Sequence, residues 1–126
     1  MSAIIQELCK SQCEPCRVGA PVLPKAEQLQ LLEGLDGWQV IEVDGIEQVT
    51  KFFDFKNYIQ AMEFTNHIAE LAEKHGHHPA ILTEWGKVTV TWWTHKIKGL
   101  HKNDFIMAAH TQEIYHQRIE EALANI

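Results

Sequence analysis

Residues 73–104 read EKHGHHPAILTEWGKVTVTWWTHKIKGLHKND. From Lys87 to Thr94 the side chains alternate, with Val88, Val90, Trp92 and Thr94 on one face and Thr89, Thr91 and Trp93 on the other, which is the period of a strand. Ala80 to Trp85 is a second short run, and Gly86 separates the two as a hairpin turn. Ahead of the hairpin, Gly76 stands where a helix ends in a left-handed residue, and Pro79 forbids its continuation. Behind it a helical pattern opens near Lys102, so the stretch reads as a hairpin held between two helices.

On the N-terminal side, Tyr58, Ala61, Met62, Thr65, Ile68, Ala69 and Ala72 recur at three- and four-residue steps and predict a helix from about Asn57 to His75. On the C-terminal side, Phe105, Ala108, Ala109, Tyr115, Ile119, Ala122 and Leu123 predict another from Lys102 to Ala124. Further upstream, Trp38–Val43 and Ile46–Phe55 flank Asp44-Gly45, a pair suited to a tight turn because both positions need positive φ. A short helix follows Pro24 and stops before Gly34 and Gly37, with Leu29, Leu32 and Leu35 as its expected apolar stripe. The order α-β-β-α-β-β-α implies an α+β domain, a four-stranded antiparallel sheet with three helices on one face. No internal repeat or low-complexity segment interrupts it.

The 126 residues suit one domain, and 45% hydrophobic with 22% charged residues suits a packed core. A formal net charge of −6 without a long basic run opposes nucleic acid and anionic membrane as partners. Neither a signal peptide nor a stretch of roughly 18 apolar residues is found, so a cytoplasmic protein is expected. Cys9, Cys13 and Cys16 all lie in an N-terminal arm, 1–24, ahead of the domain at 25–126. An odd number at one end is no disulfide framework, and with no fourth ligand nearby they read as reduced thiols.

The chemistry concentrates where the fold is decided. His75, His77, His78, His95 and His101 fall within residues 73–104, together with Trp85, Trp92 and Trp93. Imidazole donates and accepts protons near neutrality, and indole offers a flat wall to a planar ligand. The far ends of a hairpin come together, so His77-His78 and His95 should meet at one rim of the sheet, with Glu73 and Asp104 flanking them. Such a set suits protonation of a leaving hydroxyl and removal of a neighbouring N–H proton. His75 and His101 read as exposed polar residues, Trp92 as core and Trp93 as the ligand wall. A metal set of His75, His77, His78 and His95 ranks lower, because adjacent histidines diverge and no carboxylate or thiolate completes it.

These residues carry a resemblance. Glu73, His77, His78, Pro79, Trp85, His95 and Asp104, with Thr94, Gly99 and Leu100, match in type and spacing the pattern of the pterin-4a-carbinolamine dehydratases, and the likeness runs from about Lys25 onward. The resemblance implies dehydration of 4a-hydroxytetrahydropterin to quinonoid dihydropterin, which recycles the cofactor of aromatic amino acid hydroxylases, without metal or organic cofactor. It implies proton transfer by His77, His78 and His95, with Glu73, Gly76, Pro79, Trp93, Thr94, Lys96 and Asp104 around the pterin. It also implies dimers or tetramers, and an aromatic amino acid hydroxylase as a compatible partner.

Two positions depart from the pattern. His101 stands where the family often has Ser or Thr, which predicts a lost helix cap, and Gly76 stands where an acidic residue is common. The family resemblance also leaves a second class open, a non-catalytic dimerisation cofactor for a transcription regulator or hydroxylase. The run Ala80–Trp85, with Glu84 as its one charge, is poorly defended as a sheet edge and is the expected place for a second copy to pair.

Overall fold

The computed structural model describes residues 22–124, with side chains to Ile119; the cysteines of the arm lie outside the described residues. Its elements are α1 (Lys25–Leu32), β1 (Gln39–Val43), β2 (Ile46–Asp54), α2 (Tyr58–His75), β3 (Ala80–Glu84), β4 (Lys87–Trp92), a 3-10 turn (His95–Ile97) and α3 (Lys102–Ala124). The sheet is antiparallel throughout with order β1-β2-β4-β3, so the two hairpins join through β2 and β4. Asp44 and Gly45 both take positive φ, 53° and 79°, as the first hairpin turn requires.

Alternation sorts the sheet. Val49 and Phe53 of β2 and Val88, Val90 and Trp92 of β4 face the helices and are buried, while Phe52, opposite Thr89, and Leu82 stay exposed on the bare face. On α2 the buried stripe is Ala61, Phe64, Ile68 and Ala72. Phe64 is absent from the expected stripe, and Ala69 and Tyr58 prove exposed, because the apolar face is centred one residue from where the sequence pattern places it. Phe64 packs on Phe53 and Phe55, whose rings also meet Tyr115 of α3, and burial of a ring of this size contributes about 1.5–3 kcal/mol.

The stripe expected on α1 needs correction. Leu29 is 57% exposed, whereas Gln28 is buried. The Gln28 amide donates to the Leu23 carbonyl at 3.0 Å and to Glu47 at 3.2 Å, and Lys25 also reaches Glu47, so polar contacts help to dock this short helix on β2. Leu35, beyond the helix end, is buried as expected.

Two helix ends bring the histidine-rich segment together with the core. Helix α2 begins with Asn57, whose side chain accepts the Gln60 N–H at 2.9 Å, and ends at Gly76 with φ 62° and ψ 31°. The Gly76 N–H then bonds the Glu73 carbonyl and the His77 N–H bonds the Ala72 carbonyl, a Schellman closure that sets the backbone of His77. Helix α3 enters the core at once, since residues 103–109 are all buried. A helix buried all round carries its polar residues into the interior, and Asp104 is one of them.

Candidate active site

His77 leaves the Schellman turn pointing at α3. Its Nε2 lies 2.6 Å from Asp104 Oδ1; the imidazole is 10% exposed and the carboxyl not at all. The other carboxyl oxygen accepts the Thr94 hydroxyl at 2.8 Å and the His101 N–H at 2.9 Å. An ionised carboxylate only accepts, so the assignment that fits has His77 donating from Nε2 to Oδ1, with Nδ1 left as the basic nitrogen. The face of His77 lies against Trp92 at 5.8 Å and 13°, and the Trp92 N–H is fixed in turn by Thr111 at 3.2 Å.

His78, one residue on, has a different setting. It is 57% exposed and its Nε2 meets the exposed Glu73 at 3.0 Å. His95 opens the 3-10 turn and stacks on Trp93 at 4.6 Å and 12°. The loop that carries it is closed by mutual hydrogen bonds between Thr94 and Gly99, with Lys98 in a left-handed conformation at φ 50°. Pro79 is half-buried, and Gly76 and Lys96 are exposed near the two turns. Leu23 donates to the Leu100 carbonyl at 2.8 Å and so ties the start of the described chain to the end of this loop.

The residues expected at the rim fall into two settings. Glu73, His78, His95 and Lys96 are exposed and Trp93 is half-buried against the core, while Asp104 and Thr94 lie buried behind His77. Asp104 can act only through the groups it holds. The four histidines weighed as metal ligands do not converge, for among the described residues no three His, Cys, Asp or Glu side chains form such a group.

Three features escaped the sequence. His75 is half-buried and its ring lies 5.2 Å from His110 of α3; burial, with the neighbouring His110, Lys74 and His77 charges, pushes its imidazole below the ordinary value. His101 is half-buried too, and its Nδ1 accepts the Asn103 N–H at 3.1 Å, so the cap expected to be missing is supplied by imidazole. Trp92 occupies the core as expected, but its ring also backs His77. Alternation could place the indole inside; only the docking of α2 against β4 brings a histidine to it.

Comparison with known proteins identifies the family. Residues 21–114 match the family model described as pterin 4 alpha carbinolamine dehydratase. A protein of Marinobacter nauticus, provisionally named a pterin-4-alpha-carbinolamine dehydratase, is 56% identical over 111 residues, 88% of this chain and 100% of the relative. One of Vibrio cholerae with the same provisional name is 63% identical over 98 residues, 78% of this chain and 90% of the relative. The crystal structure of a Brucella melitensis transcriptional coactivator/pterin dehydratase aligns with a TM-score of 0.68 at 37% identity, covering 75% of this chain and 99% of that one. A match over most of the chain, with relatives more than half identical, means that this protein belongs to the pterin 4 alpha carbinolamine dehydratase family.

Proposed function

We propose that the protein dehydrates 4a-hydroxytetrahydropterin, and that the observation carrying this is the His77–Asp104 pair, tied through Thr94 to the strand end that carries the Trp93–His95 stack. In the reaction the C4a–O bond breaks, the N5–H bond breaks, an N5=C4a double bond forms and water departs. One group must take the N5 proton while another gives a proton to the hydroxyl. His77 suits the base, since a proton taken at Nδ1 leaves an imidazolium whose Nε2–H already faces a carboxylate shielded from water. His95 and His78 are exposed imidazoles suited to the acid. The Trp93 indole, Gly76, Pro79 and Lys96 offer the surface for the ring, Glu73 orients His78, and Thr94 and Asp104 act through His77.

In this reading the product is quinonoid dihydropterin, the protein serves an aromatic amino acid hydroxylase in the cytoplasm, and residues 25–126 are the catalytic unit behind an N-terminal arm. No helix among the described residues is long and apolar enough to cross a membrane. Two copies pair through β3, an edge strand whose Leu82 and neighbouring Trp85 are exposed. The deciding experiment follows loss of carbinolamine absorbance with purified protein. Accelerated decay is expected; a rate equal to the uncatalysed one at micromolar protein would overturn the reading. Light scattering of wild type and Leu82→Lys tests the pairing, with a dimer expected only for the former.

A further inference from the structure

The first turn of α3 leaves backbone N–H groups that water does not reach, because residues 103–109 are buried. Two donors in this stretch are met reciprocally. His101 Nδ1 accepts the Asn103 N–H, and Asp104 Oδ2 accepts the His101 N–H. Reciprocal capping of this kind is usually made by Ser or Thr with Glu or Gln three residues on; here imidazole and Asp take those places. The carboxylate that closes the cap is also the one that holds Thr94 and His77.

We propose that the His101 side chain is a positioning residue for the reaction, acting through Asp104 on His77; the proposal rests on the dehydratase reading. Asp104 meets three donors at once, one of which is the His101 backbone N–H. The direction of that N–H depends on residue 101 keeping its non-helical cap conformation, which the Nδ1 bond to Asn103 maintains. Without the acceptor, the Asn103 N–H loses the bond that ties the first turn to residue 101, and the turn shifts. Asp104 shifts with it, and the Nε2 side of His77 follows. To accept at Nδ1, His101 carries its proton on Nε2, so the cap implies one tautomer.

The test uses the full chain with 15N-labelled histidine. In wild type, His101 should show an unprotonated Nδ1 and His77 a protonated Nε2. His101→Ala should lower kcat about 10-fold with little change in KM, the size expected for a small displacement of a reacting group, and should weaken or lose the His77 Nε2–H signal. His101→Ser, a short cap with an acceptor oxygen, should recover most of both. If His101→Ala does not fold, His101→Gly, an acceptable helix start without an acceptor, replaces it. A serine variant as impaired as alanine, an alanine variant with wild-type kcat and an intact His77 signal, or a wild-type His101 protonated on Nδ1 would each overturn the proposal. Should the wild type fail to dehydrate the carbinolamine, the dehydratase reading fails alone, and loss and rescue of the His77 signal still decides the positioning role.

Discussion

His77 and His78 are neighbours in the chain, each bonded through Nε2 to a carboxylate, yet they belong to different electrostatic regimes. The His77–Asp104 pair is enclosed, at 10% and 0% exposure; His78 and Glu73 are 57% and 79% exposed. Water and salt screen the second pair, so its net contribution stays within about 1 kcal/mol. The first pair is screened far less, and removing one member takes from the other a partner that water does not readily replace. The cause is the Schellman turn, which aims residue 77 inward at α3 and leaves residue 78 outside. A buried partner fixes a tautomer and a direction; an exposed one leaves the ring free to follow a ligand.

The largest expected effect breaks the enclosed pair. Asp104→Ala should cost about 3–5 kcal/mol of unfolding free energy, against less than about 1 kcal/mol for Glu73→Ala, read from urea midpoints. Equal losses would erase the distinction between the pairs. Next comes chemistry: His78→Ala and His95→Ala should each lower kcat/KM by about 10²-fold, and His77→Ala by at least as much, while His67→Ala, on the solvent side of α2 near Glu70, should be near neutral. If His78→Ala and His95→Ala match wild type, only the enclosed histidine is chemical.

Smaller again is the turn that separates the two environments. Gly76→Ala places a side chain at φ 62°, which should cost about 1–2 kcal/mol and lower activity more than its stability loss explains, because His77 loses its aim. The smallest effect sharpens the comparison through His75. Its folded imidazole binds a proton less readily than the unfolded one, chiefly because of burial. Its contribution to stability is therefore intact above the ordinary value of 6.5 and is lost as pH falls from there through the lowered folded value. His75→Gln should lose less stability than wild type between about pH 7 and 5; parallel losses would count against it.

Much of this was legible in the sequence because the signals are local. Asp44-Gly45, Gly76 with Pro79, Asn57, and the alternation from Val88 to Thr94 each constrain a few consecutive residues, and the observed elements begin and end near them. Of the carboxylates the sequence set beside the paired histidines, Asp104 meets His77 and Glu73 meets His78.

Tertiary structure decided what depends on partners distant along the chain. Leu29 over Gln28 is the better guess for a helix taken alone; docking on β2 reverses it, because Glu47 offers the amide a partner there. His101 reads as a lost cap until its Nδ1 proves to accept the N–H of buried Asn103. Glu73 and Asp104 are both flanking carboxylates in the pattern, and burial separates them into an exposed group and an enclosed one. Backbone conformation is settled by residues within a turn of one another, so the chain spells it out directly. Burial and pairing are settled by which faces meet when β2 joins β4 and α3 crosses them, and that choice belongs to the whole packed domain.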